Sequence, residues 1–337
     1  MSNRQDQPYG VISLTLKRWN RGILITLLLV AFTLRALPLD VQGLWRDEVD
    51  ALRFATAPLE ELLGNFDRPG WNGPLYFLIL RGWILLTGRT AFAMRYFSLL
   101  WSIVGIALFY VLGRRVVGQK TALWALPLVI FSPYLVWYAQ EVKMYTWVPT
   151  LVLLALYALD RACTRPRWVW WAVVLATTSM AFYSHILAAL LIPVEVIWFL
   201  LHPRRQRRAW IGGLITLALL TLPYVPLLRW QWREVWKIRE TGFPTFTLEE
   251  MIQILLTGWS TGIAAWASGA GAIFFSTLAL FGLVAVIYWQ GLRRELTLLT
   301  WLLLPLFAIW AVSQQGPIFT DRYLIWTAPA FYLLVSA

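Results

Sequence analysis

The chain has 337 residues, of which 59% are hydrophobic and only 14% charged, with a formal net charge of +12. A water-soluble domain carries about a quarter of its residues charged, so this composition describes an integral membrane protein. The positive charge lies in short clusters between apolar runs, not on a stripe with stacking partners, which excludes nucleic-acid binding. The single cysteine, Cys163, excludes an intrachain disulfide framework and a cysteine zinc cluster.

Residues 1–21 are polar and basic and predict a cytoplasmic tail. Lys17, Arg18 and Arg21 precede an apolar run with no small-residue cleavage site, so that run is a retained anchor and the first span, over 22–37. An outer loop, 39–90, follows. It opens with Leu44-Trp45-Arg46-Asp47-Glu48-Val49-Asp50, where three carboxylates crowd against sequence that must lie in lipid. Charge there is costly unless it faces water, a headgroup or a substrate. Further on, Pro58 at a first helical position and Glu60 and Glu61 in the first turn predict a short surface helix.

Residues 74–88 decide the topology. The run is apolar but spans about 22 Å as a helix, against a hydrocarbon core of about 30 Å, and Arg81 interrupts it. If it lies in the interface, the spans that follow are 91–112, 121–137, 145–160, 169–184, 186–201, 209–228, 271–290, 296–312 and 323–337. The inner segments then hold 16 Lys/Arg and, counting Asp160 at the inner end of the span 145–160, 3 Asp/Glu, and the outer ones 11 and 13. This arrangement gathers the small basic clusters on one side, as cytoplasmic loops require. It predicts about ten spans, both termini cytoplasmic, and four outer segments: 39–90, 134–145, 229–270 and 313–322. In the third, 229–237 has the pattern of an amphipathic surface helix, and Thr247-Leu248-Glu249-Glu250 is a capping box.

Several short motifs fall at the outer ends of these spans. They are Trp45-Arg46-Asp47-Glu48; Asn72-Gly73-Pro74-Leu75-Tyr76; Gly88-Arg89 with Arg95-Tyr96-Phe97-Ser98; Tyr138-Ala139-Gln140-Glu141-Val142-Lys143-Met144-Tyr145; and Asp321-Arg322-Tyr323. Taken in order, they resemble the GT-C glycosyltransferases, in particular the protein O-mannosyltransferase family (family 39) and the lipid A aminoarabinose transferases. The resemblance implies an all-α polytopic membrane protein, a GT-C-like transmembrane helix bundle with interfacial helices in its first outer loop. It implies a sugar donor on a polyprenyl phosphate and a catalytic aspartate in that loop, which here is Asp47. The family often has a histidine or a second proline where this chain has Asn72-Gly73. The last span holds 15 residues and stops at Ala337, so residues 1–337 read as one transferase domain, shortened relative to its family.

The residues support the same chemistry without the resemblance. Moving a glycosyl group from a lipid phosphate to a hydroxyl needs a base for the hydroxyl proton and cations for the departing phosphate. Asp47, with Glu48 beside it, is the base candidate. Lys143, Arg322 and Arg229 are outer-face cations able to hold phosphate, and arginine can do so bidentately. Glu141, Tyr145, Tyr323, Asn72 and His185 complete the expected substrate-binding set. The competing readings are helix capping for Asp47 and Glu48, an ion pair with Glu141 for Lys143, pairing with Asp321 for Arg322, and core packing for His185. No Asp-x-Asp is present, so no metal site and no cofactor is expected. Partners are the polyprenyl-phosphate sugar, a lipid, glycan or protein acceptor, and membrane lipids. The expected location is the inner membrane, with the active site on the extracytoplasmic face. A polyprenyl-lipid flippase would need charges spread through the spans, where only Arg35, Arg95 and Glu195 stand. A non-catalytic scaffold for envelope synthesis is the third reading.

Overall fold

The computed structural model describes residues 9–64, 73–203, 205–235, 243–263 and 269–337; the side chains of 9–20, 227–228, 230–235 and 290 lie outside that description. The regular structure of the described residues is entirely helical. In chain order the helices are α1 (Tyr9–Ala36), α2 (Arg46–Thr56), α3 (Leu59–Gly64), α4 (Leu75–Thr87), α5 (Ala91–Val116), α6 (Gln119–Phe131), α7 (Pro133–Ala139) and α8 (Trp147–Thr164). They continue with α9 (Trp168–Ser184), α10 (Leu191–Leu201), α11 (Ala209–Val235), α12 (Leu248–Thr261), α13 (Gly269–Gln290), α14 (Leu292–Ser313) and α15 (Ala328–Val335). Short 3₁₀ turns, Ile186–Leu190 and Asp321–Thr327, lead into α10 and α15. The chain is a multi-pass membrane protein. Among the described residues, α5, α8, α13, α14 and the Ala209–Pro226 part of α11 are long and apolar enough to cross a membrane; α6 with α7 makes a sixth, bent by 62°.

All ten expected spans are helical, but three are not continuous α-helices. The one expected over 121–137 breaks at Ser132, because Pro133 has no N–H to give the Val129 carbonyl and its ring crowds the preceding turn. Ser132 restarts the chain as the cap of α7, its hydroxyl accepting from Leu135 N–H at 3.2 Å. Arg35 of α1 resolves the break. Fully buried, it donates to the Ile130 carbonyl at 3.1 Å, to the Val129 carbonyl at 3.2 Å and from Nε to Ser102 Oγ at 3.0 Å. An arginine in a span is thereby explained by helix-end carbonyls, which need donors where water is absent. The expected spans over 186–201 and 323–337 each open with a 3₁₀ turn.

The α4 segment is too short to span, at 13 residues or about 20 Å. It buries Tyr76, Phe77, Leu80 and Ile84 while Leu85 and Leu86 stay exposed. Arg81 donates to the Ala57 carbonyl at 2.6 Å, so it caps the end of α2 instead of interrupting a span. Gly88, at φ 92°, then turns the chain into α5.

Close packing elsewhere depends on small residues, as between helices in lipid. At Gly282 of α13 a Cβ would run into the Leu334 carbonyl of α15. One further expectation changes and one holds. The surface helix expected over 229–237 is, as far as Val235, a continuation of α11; its remainder lies outside the described residues. The capping box at α12 is present, with Glu250 N–H donating to Thr247 Oγ1 at 3.2 Å and Thr247 N–H to Glu250 Oε2 at 2.8 Å.

Candidate active site

The acidic pair splits into two roles at the start of α2. That helix buries Glu48, Ala51 and Ala55, the i, i+3, i+7 stripe. Its other face carries Asp47 and Asp50.

Glu48 is fully buried. Arg95, one turn into α5, grips it with Nε at 2.8 Å and Nη2 at 2.6 Å. Glu48 also accepts from Val142 N–H at 3.1 Å and from Trp45 N–H at 3.3 Å, the latter half of a capping box. Arg95 uses its other donors on the carbonyls of Leu39, Gln42 and Gly43, at 2.9, 2.7 and 3.0 Å. One buried ion pair thus fastens three pieces: the exit of α1, the start of α2 and the turn after α7. The sequence reading placed Arg95 inside a span and gave it no role at the site. The signal was present, since a charge one turn from an outer loop requires a partner and that loop supplies an acid.

Asp47 makes no capping bond and stays partly exposed. Its Oδ2 accepts from Arg322 Nη1 at 2.8 Å, an ion pair with both side chains about a quarter exposed. Arg322 stands at the start of the 3₁₀ turn before α15. Its guanidinium lies 5.8 Å from the centre of the Tyr145 ring, and its buried Nε has no partner. Neighbouring Asp321 accepts from Tyr138 Oη at 3.1 Å, which ties this turn to α7. The pairing of Arg322 is therefore with Asp47.

The turn after α7 adds the remaining groups. Ser98 Oγ donates to the Glu141 carbonyl at 2.5 Å. The Glu141 carboxylate takes a bond from Trp137 Nε1 at 2.5 Å, and its second oxygen is buried without a partner. Burial pushes this carboxyl up to about 7, against the pull of Trp137 and Arg322. Lys143 forms no ion pair with Glu141 among the described residues. Burial lowers its ammonium below the usual range, with Asp47 the largest opposing influence. Burial likewise holds the Tyr145 hydroxyl well above its ordinary range.

His185 closes the far side. It is buried, both ring nitrogens lack partners, and its ring centre lies 4.8 Å from that of Tyr323. Burial, with Arg322 nearby, drives it down to about 3, so the imidazole is neutral at working pH. Gly73, in the stretch where family members often differ, packs so tightly on the Tyr183 backbone that no Cβ fits.

Of the residues expected from sequence, Asp47, Glu48, Glu141, Lys143, Tyr145, His185, Arg322 and Tyr323 come together. Asn72 lies outside the described residues. Arg229 stands exposed on α11 and bonds to none of the others. Among the described residues no three His, Cys, Asp or Glu side chains gather as a metal-ion cluster.

Comparison with known proteins finds similar sequences and similar folds. Residues 67–230 match the family model described as dolichyl-phosphate-mannose-protein mannosyltransferase. The undecaprenyl phosphate-α-4-amino-4-deoxy-L-arabinose arabinosyl transferase 2 of Pseudomonas fluorescens is 26% identical over 314 residues, covering 86% of this chain and 55% of that protein. The chain is similar to both. Its fold matches that of ArnT from Cupriavidus metallidurans in the apo state, with a TM-score of 0.66, 15% identity, and coverage of 94% of this chain and 59% of that one. The same protein bound to undecaprenyl phosphate gives a TM-score of 0.64, at 14% identity and equal coverage. The chain spans about half the length of the curated aminoarabinose transferases it matches, 55% and 53% for two from Pseudomonas fluorescens.

Proposed function

We propose that this protein moves a sugar from a polyprenyl-phosphate carrier to an acceptor hydroxyl, with Asp47 as general base. The reading rests on one observation: Asp47 and Arg322, 275 residues apart in sequence, meet at 2.8 Å as a partly exposed ion pair, with Lys143 within electrostatic reach of both. A base and phosphate-holding cations at one site are what glycosyl transfer from a lipid phosphate requires. Support for the donor class comes from the relatives, whose names specify undecaprenyl phosphate-linked aminoarabinose.

In this mechanism the incoming phosphate takes Arg322 away from Asp47. The arginine moves onto phosphate oxygens, for which its planar fork is suited, and the carboxylate is released to the acceptor. The acceptor oxygen attacks the anomeric carbon as its proton passes to Asp47. The bond from that carbon to the phosphate oxygen breaks, leaving its electron pair on the phosphate, which Arg322 and Lys143 stabilise. A single displacement inverts the anomeric centre. Glu48 acts by positioning: through Arg95 and Val142 it fixes the loops that present Asp47 and Lys143. The site belongs, on the charge distribution, to the extracytoplasmic face of the inner membrane. The flippase reading is weakened because Arg35 and Glu195 are satisfied inside the bundle, Glu195 by Thr178 Oγ1 at 2.7 Å.

Asp47→Asn tests the assignment. The amide preserves shape but cannot take a proton, so transfer from a polyprenyl-phosphate sugar should fall about 10²–10⁴-fold. Binding of undecaprenyl phosphate should be kept or tightened, since Arg322 loses its internal partner. A near-normal transfer rate would show that Asp47 is structural.

A further inference from the structure

A second charged cavity lies at the opposite end of the bundle. Arg95, at the site, and Arg115 lie on the same helix, 20 residues apart, which is about 30 Å of α-helix. Around Arg115 a cavity of about 480 Å³ is lined by Arg114, Asp160, His202 and Arg294, with Gly118 and Gln119 at the start of α6. The mechanism uses none of these residues.

The charges are organised by four helices or their ends. Asp160 of α8 pairs with Arg115 of α5 and accepts or shares a hydrogen bond with His202 Nε2 at 3.2 Å. Arg115 Nη2 also donates to Thr164 Oγ1 at 3.3 Å. Arg294, from the first turn of α14, donates to the Val116 carbonyl at 3.3 Å, which holds it across the cavity. Three guanidinium groups and one carboxylate therefore line the cavity, and that carboxylate is already engaged by Arg115. The N-terminus of α6 adds partial positive charge at the same place.

Next to it is a second, more apolar cavity of about 350 Å³ that also includes Gly118 and Gln119. Its far wall is Ala285, Val286 and Trp289 of α13. Trp289 is 76% exposed, and Tyr288, Val284 and Ile287 expose apolar surface beside it. A cationic chamber opening onto an apolar groove matches a molecule with an anionic head and a hydrocarbon tail. A soluble anion has no use for the groove.

We propose that this cavity binds the phosphate headgroup of an anionic membrane phospholipid, with an acyl chain lying along α13. The proposal is independent of the catalytic reading. Phosphate-diester oxygens accept from Arg114 and Arg294 in the chamber, and the chain covers Trp289 and Val286. Basic chambers between membrane helices near the inner surface suit this chemistry.

The test is native mass spectrometry of the purified full-length protein, titrated with phosphatidylglycerol or phosphatidylcholine. Phosphatidylglycerol should bind in preference. Arg114→Gln with Arg294→Gln should weaken it at least tenfold, the scale of losing hydrogen bonds to a charged group. Arg293→Gln removes the same charge from an exposed neighbour outside the cavity and should leave binding unchanged. Arg114→Gln alone, at an exposed residue whose guanidinium rests on the Tyr110 ring, guards against loss of fold and should still weaken binding severalfold. Equal weakening by Arg293→Gln would reduce the effect to general surface charge and overturn the proposal. Displacement of the lipid by equimolar inorganic phosphate would overturn it in favour of a soluble anion.

Discussion

Replacing Glu48 with glutamine keeps the size of the side chain and removes its charge, and the structure sets the consequence. Glu48 is fully buried and accepts four hydrogen bonds, two of them from Arg95 at 2.6 and 2.8 Å. In the variant an NH₂ group must face either the guanidinium or a backbone N–H, and Arg95 is left buried without a counter-charge. Removing one partner of a buried pair costs about 3–5 kcal/mol. Arg95 keeps its bonds to the carbonyls of Leu39, Gln42 and Gly43, which places the loss near the lower end, at about 3 kcal/mol. Thermal unfolding of Glu48→Gln, Arg95→Gln and the double variant measures it. Each single change should lower the midpoint clearly, and the double should lose less than the sum of the two, because both remove one interaction. Transfer by Glu48→Gln, assayed well below its midpoint, should fall much less than in Asp47→Asn. A Glu48→Gln protein of unchanged stability and abolished transfer would refute the reasoning, since it would put Glu48 at the reacting atoms.

Three other outcomes are expected. Arg322→Ala should weaken undecaprenyl phosphate binding about ten- to a hundredfold, the worth of a charge-assisted hydrogen bond; unchanged binding would remove Arg322 from the donor site. The Glu141 carboxyl is raised to about 7, so the fold favours its neutral form. Its contribution is fully present below about pH 4.5 and is lost as pH rises through about 7, on the order of 3 kcal/mol in all. Glu141→Gln should flatten the fall in unfolding midpoint between pH 5 and 8, and an unaltered slope would contradict the burial of this group. For topology, Cys163 is fully buried, so an impermeant thiol reagent should not label it from either side. A cysteine at exposed Arg293, with Cys163→Ser, should instead react only after the membrane is opened.

The amino-acid pattern reveals helices well here and helix breaks poorly. Apolar runs locate a helix at each of the ten expected spans, although among the described residues only five, or six with the bent pair, are long and apolar enough to cross a membrane. The 62° bend at Pro133 depends on Arg35 reaching it from another helix, which no local window contains. The site shows the same division. Asp47, Lys143 and Arg322 can be found because charge at a membrane boundary is conspicuous. The separation of Asp47 from Glu48 cannot, because adjacent acids look alike until the register of α2 turns one inward. Arg95 does lie in the expected span, but membership of an apolar helix conceals its partner Glu48 in the outer loop. Arg229 carries the same charge as Arg322, but it is exposed and bonds to none of the site residues among those described.

The distance in sequence between Asp47 and Arg322 also bears on how the protein is made. Translation at about 5–20 residues per second separates the two by roughly 15–55 s, given the 275 residues between them. Throughout that interval the aspartate has emerged and its cationic partner has not. Glu48 and Arg95 are only 47 residues apart, so the frame that carries Asp47 can assemble early and wait. The ion pair forms only once Arg322 has emerged. A chain interrupted before Arg322 therefore has the Glu48–Arg95 frame but lacks the arginine that the proposed phosphate grip needs.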